Sequence, residues 1–161
     1  MREDYRRKLE YLKDPKISLE IFDCILGEFI GSGCSREVYQ HPHRNNCVIK
    51  IERGGGSGDN FSEYNIWQSV KYTENAKWFA PCEWISENGM VLVQRKTKLL
   101  YSRSSTKIPE KIPTFFTDIH SKNFGWIGNQ LVAHDYAFTL GITVSAAVAA
   151  KNKMKPSKGL L

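Results

Sequence analysis

Cysteine, methionine and long apolar runs are scarce in this sequence of 161 residues, which holds four cysteines and three methionines. Cys24, Cys34, Cys47 and Cys82 stand far apart and form no C-x-x-C pair, and His41, His43, His120 and His134 show no zinc-type spacing with them. The opening MREDYRRKLEYLKD is charged where a secretory leader has its apolar core, so reduced thiols in a cytoplasmic protein are expected. No apolar run approaches the roughly 20 residues needed to cross a bilayer; ITVSAAVAA is the nearest, and its alanines suit a packed helix. Nothing repeats with a period of about 20 to 50 residues, which excludes a solenoid or a propeller.

What is there has the balance of a folded domain. Hydrophobic residues make up 41% and charged residues 25%, enough for one core or for two small lobes. The net charge of +6 suits a polyanion such as a nucleotide, a nucleic acid or an acidic protein surface. Most aromatics fall at core-like periodicities, which argues against nucleic acid.

Residues 2–13 carry Tyr5, Leu9 and Leu12 at helical spacing and stop at Asp14-Pro15. Three antiparallel strands are expected in ISLEIFDCILGEFIGSG, REVYQHP and NNCVIKIE, followed by a mobile RGGGSGD connection. DNFSEYNIWQSVKYTEN reads as a helix capped by Asp59 or Asn60. APCEWISENGMVLVQRK reads as a hairpin turning at Glu87-Asn88-Gly89. From Thr97 to Thr114 the pattern weakens; NFGWIGNQLVAHD then forms a second hairpin, and an Ala-rich helix precedes a basic, frayed KNKMKPSKGLL end.

Three motifs carry chemistry. Gly31 and Gly33 in GSGCSREVY let the backbone approach phosphate oxygens closely, though glycines also serve ordinary turns. Lys50 in VIKIE shares a strand face with Val48; an ammonium on that otherwise apolar face either snorkels to solvent at an edge or needs a partner, which Glu63 early in the next helix can be. Asp118 is placed to orient an attacking hydroxyl, and Asn123 and Asp135 offer the hard oxygens that Mg2+ prefers.

Taken in order, these residues resemble the protein kinase-like superfamily over about residues 27–138. The resemblance implies an α+β, protein kinase-like fold: an antiparallel-sheet N-lobe with one helix at 19–96, a strongly truncated C-lobe at 97–150, an N-terminal helix at 1–18 and a flexible tail at 151–161. It implies ATP and Mg2+ as cofactors. Gly31, Gly33, Arg36, Val38 and Lys50 would hold the nucleotide, Asp118, Lys50, Glu63 and His120 would serve catalysis, and Asn123 and Asp135 would bind metal. The segment DIHSKN, with His120 two residues after Asp118, is similar to the catalytic loop of aminoglycoside phosphotransferases. GSGCSREVYQHP resembles a small bacterial kinase-like family associated with the PhoP regulatory network.

The sequence departs from the family in four places. Arg36 stands where a third glycine is usual, Phe116-Thr117 replaces His-Arg, and Ala137 replaces the last glycine of the metal motif. Only 24 residues follow Ala137, too few for the helices that bind peptide substrates. With few apolar residues evident to support the catalytic loop, a homodimer or a partner protein is expected to supply that surface. Two functions follow: phosphoryl transfer to a protein Ser/Thr hydroxyl, to the chain itself or to a small molecule; or a pseudokinase module that binds and regulates a partner.

Overall fold

The computed structural model describes residues 25–53, 57–102, 108–137 and 153–160. The N-terminal helix, most of the YSRSST segment and the Ala-rich helix lie outside them. The chain forms two compact units, Met1–Phe61 with Cys82–Arg95 and Ser62–Pro81 with Lys96–Leu161. The division therefore falls inside the helix as well as after Arg95, where a single boundary near residue 96 was expected. Both units mix strands with helical turns, so the chain is α+β, with antiparallel sheets and one α-helix among the described residues. No described helix is long and apolar enough to cross a membrane.

The first unit is a five-stranded antiparallel sheet. Its strands are β1 (Phe29–Ser32), β2 (Arg36–Gln40), β3 (Cys47–Glu52), β4 (Cys82–Ile85) and β5 (Val91–Arg95), in spatial order β1-β2-β3-β5-β4. The period of two in CVIKIE sends Cys47, Ile49 and Ile51 to one face, where Cys47 and Ile49 join Ile25, Leu26, Val91 and Val93 in an apolar cluster. Burying each such aliphatic side chain contributes roughly 1.5–3 kcal/mol. The β4–β5 hairpin turns at Gly89, whose φ of 74° falls where a Cβ is disfavoured; an added Cβ would also collide with the Phe61 ring.

The β2–β3 turn holds a histidine whose charge the fold opposes. The His41 imidazole is buried, and its Nδ1 accepts a hydrogen bond from the His43 amide at 3.2 Å. Burial above all, then the Arg44 charge, lowers its pKa from 6.5 to about 4. Arg44 itself is anchored to Glu83 at 2.6 Å. Because the neutral ring is favoured only in the folded state, its stabilisation is complete above pH 6.5 and is lost as the pH falls toward 4. The loss is on the order of 2–3 kcal/mol. Melting curves between pH 7.5 and 4.5 should show a decline that is shallower in His41→Gln; identical slopes would contradict this.

The α-helix α1 (Asp59–Val70) begins in the first unit and continues into the second. The cap expected at Asp59 or Asn60 comes instead from β3: the Glu52 carboxylate accepts from the Asn60 amide at 2.6 Å and the Gly58 amide at 3.0 Å. Asn60 then donates its side-chain amide to the carbonyls of Gly89 at 2.9 Å and Met90 at 3.1 Å, and accepts from Arg36.

The second unit holds two small sheets, β6 (Lys98–Leu99), β8 (Phe124–Ile127) and β9 (Gln130–Ala133) in order β6-β8-β9, and β7 (Lys111–Pro113) with β10 (Met154–Pro156). Its core is aromatic. Phe79 lies 5.6 Å from Phe115, 5.2 Å from Phe116 and 5.0 Å from Tyr136, ring centre to ring centre, and Phe116 lies 5.2 Å from Phe124. The Tyr136 hydroxyl, fully buried, donates to the Ala80 carbonyl at 2.9 Å.

Candidate functional site

In the first unit, the strand register brings several of the expected residues into one row. Gly31 pairs with Val38, Val38 with Lys50, and Lys50 with Leu92, so these four share a face of the sheet. Lys50 is only 4% exposed. A Cβ added at Gly31 or Gly33 would meet nothing within 4 Å, and the Gly33 amide donates to the Arg36 carbonyl at 2.9 Å. Arg36, assigned to the nucleotide from sequence, is buried, donates to Asn60 Oδ1 at 3.4 Å and stands opposite Glu52 in the register. These contacts tie it to the helix cap.

In the second unit, the segment 116–123 is built around Asn123. Its Nδ2 donates to the Asp118 carboxylate at 2.8 Å, and its carbonyl accepts from the amides of His134 at 2.8 Å and Asp135 at 3.3 Å. One residue thus holds the Asp118 side chain and the backbone leading into Asp135. Donation through Nδ2 leaves Asn123 Oδ1 as its acceptor atom, and the Asp118 and Asp135 side chains are exposed. Among the described residues no three His, Cys, Asp or Glu side chains gather to hold a metal alone. An amide oxygen plus one carboxylate nevertheless fits Mg2+, which keeps waters and takes phosphate oxygens for the rest of its shell.

His120 caps the 3-10 turn Ser121–Asn123: its Nδ1 accepts from the Lys122 amide at 3.1 Å. It is exposed, and this contact gives it a positioning part. Glu63 is fully buried and accepts from the Tyr136 amide at 3.1 Å, while the Ser62 hydroxyl donates to the Ala137 carbonyl at 2.8 Å. Two consecutive residues of α1 therefore grip the backbone just after Asp135. Lys50 belongs to the first unit and Glu63 to the second.

Sequence reasoning passed over Ser62 and the structural part of His134. His134 Nε2 lies 2.8 Å from the Lys122 carbonyl and Nδ1 lies 2.9 Å from the Thr97 hydroxyl. A carbonyl only accepts, so Nε2 carries a proton. No family model and no curated protein matches this chain.

Proposed function

We propose that this chain is an ATP- and Mg2+-dependent phosphotransferase of an atypical, protein kinase-like type. One observation carries the reading: Asn123 binds the Asp118 carboxylate with its side chain and the Asp135 amide with its carbonyl, joining a candidate base to two candidate metal ligands. The Gly31–Val38–Lys50 row supports it, because an apolar side chain and a buried ammonium on one sheet face suit a purine and its phosphates.

In this account the Lys50 ammonium offsets the negative charge on the triphosphate. Asp118 accepts the proton of the acceptor hydroxyl as its oxygen bonds to the γ-phosphorus. The bond from that phosphorus to the β–γ bridging oxygen breaks, and ADP leaves with the electron pair. Bound through Asn123 and Asp135, Mg2+ would supply charge neutralisation and fix the phosphate geometry. The acceptor is a Ser or Thr hydroxyl of a protein, including the chain's own YSRSST segment, or of a small molecule.

A second reading, a kinase-shaped binding module, is favoured by the edge strand β1, which exposes Phe29 at 52% and Ile30 at 47%. Incubation with γ-labelled ATP and Mg2+, alone and with cell extract, separates the two. Transfer that disappears in Asp118→Asn supports the enzyme; no transfer above the Asp118→Asn background leaves the binding module.

A further inference from the structure

The last residues of the chain depart from expectation. The basic end was read as frayed, yet β10 pairs with β7 in register, Met154 to Pro113, Lys155 to Ile112 and Pro156 to Lys111. The Thr114 amide donates to the Lys153 carbonyl at 2.9 Å, the Ser157 amide to the Glu110 carbonyl at 3.0 Å, and the Ser157 hydroxyl to the Pro109 carbonyl at 2.5 Å. Leu160, just beyond, is completely buried. Four lysines misled the reading: they signal a solvated surface, while a single leucine and the backbone pairing decide the outcome.

Two contacts of this strap bear on the stretch that holds Asp118. The Lys155 ammonium donates to the Phe116 carbonyl, two residues before Asp118. Gly159 packs on Ile119, the residue after it: a Cβ there would stand 3.0 Å from Ile119 Cγ2 and 3.1 Å from the Ile119 carbonyl oxygen. Residues 116–120 form no helix or strand, so no ladder of their own fixes them, and an irregular segment keeps one geometry only when its surroundings determine it. The aromatic pair Phe115-Phe116 anchors the segment on the core side, and Asn123 holds the Asp118 side chain. Lys155 and Gly159 constrain its backbone on either side of the carboxylate.

We propose that Lys155 and Gly159 are positioning residues for Asp118, and that the C-terminal strap does for this short chain the supporting work that a homodimer or partner was expected to do. A cation donating to a carbonyl is a strong bond, and a methionine of similar length loses it while keeping the apolar stem. An alanine methyl at 159 would stand 3.1 Å from the Ile119 carbonyl oxygen, so the Ile119–His120 peptide or the strap must give by a few tenths of an ångström. The catalytic consequence rests on the phosphotransferase reading; the structural one does not.

Three variants of the full chain test it: Lys155→Met, Gly159→Ala and the conservative Lys155→Arg. Amide hydrogen exchange, measured without nucleotide, should speed up about tenfold across 114–123 in the first two. The Asn123 amide, which donates to the His120 carbonyl at 2.9 Å, is a specific reporter. Exchange in β3 and β5 should not change, and Lys155→Arg should resemble the parent. Where the parent transfers phosphate, kcat should fall about tenfold with KM for ATP held within about twofold, since neither residue is placed on the nucleotide. Unchanged exchange at 114–123 in both variants overturns the proposal, and so does faster exchange with an unchanged kcat in an active parent. Should the parent transfer nothing, the phosphotransferase reading fails alone, and exchange still judges the strap. Gly159→Ala keeps the test decisive if Lys155→Met does not fold.

Discussion

Asp118→Asn should leave the protein folded and lower phosphoryl transfer by about 10²- to 10⁴-fold, the range that a positioned general base contributes. The exchange swaps a carboxylate for an amide of the same shape. Asp118 is exposed, so no core packing is lost, and the new side-chain oxygen still accepts from Asn123 Nδ2. What disappears is the proton acceptor. Asp118→Asn should therefore melt within about 1 °C of the parent, consistent with the small effects of surface substitutions. A quantitative transfer assay on the two proteins checks this, and equal rates would remove Asp118 from the chemistry.

The largest stability effect is expected at Phe116→Ala. Phe116 is fully buried and touches Phe79, Phe115 and Phe124 with ring-centre distances of 5.2, 4.7 and 5.2 Å. Removing a ring from such a cluster costs about 3–5 kcal/mol, combining lost transfer energy with the cavity left behind. For a chain of this size that corresponds to a fall in Tm on the order of 10 °C. Tyr72→Ala is the matched control, because Tyr72 is 90% exposed and its loss should cost no more than about 0.5 kcal/mol. Thermal or denaturant melts of the two variants decide it; a Phe116→Ala protein as stable as the Tyr72→Ala protein would contradict the packing described. Phe116 also precedes Asp118 by a single intervening residue, Thr117.

Much of the first unit was legible because its signals are local. The period of two in CVIKIE, the Asn-Gly turn at 88–89 and the helix after the glycine-rich connection each follow from neighbours in sequence. Pairing Gly31, Val38 and Lys50 in one row needed only the assumption of consecutive hairpins. Less could be read where contacts join distant residues. Arg36 looked like part of a phosphate loop because it follows the glycines, but its partner Asn60 lies 24 residues on. The segment 97–114 looked featureless because β6 and β7 are two and three residues long, too short to show a period. The β7–β10 pairing closes a loop of about 40 residues between strands with no apolar run, and only coordinates show that the lysine-rich end is ordered. At the candidate site, the nearness of Asn123 to Asp118 and to the Asp135 backbone was legible from spacing. Ser62, Lys155 and Gly159 were not, because each acts on backbone atoms of a remote segment and leaves no spacing of its own.

The central claim is that this chain binds Mg-ATP. Titration calorimetry of the parent, Lys50→Met and Asn123→Ala with Mg-ATP tests it most directly. The account predicts one nucleotide per chain for the parent and affinity weakened about tenfold or more in each variant, with all three proteins folded before ligand is added. Absence of binding by the folded parent at millimolar Mg-ATP, or binding that neither substitution weakens, would contradict it.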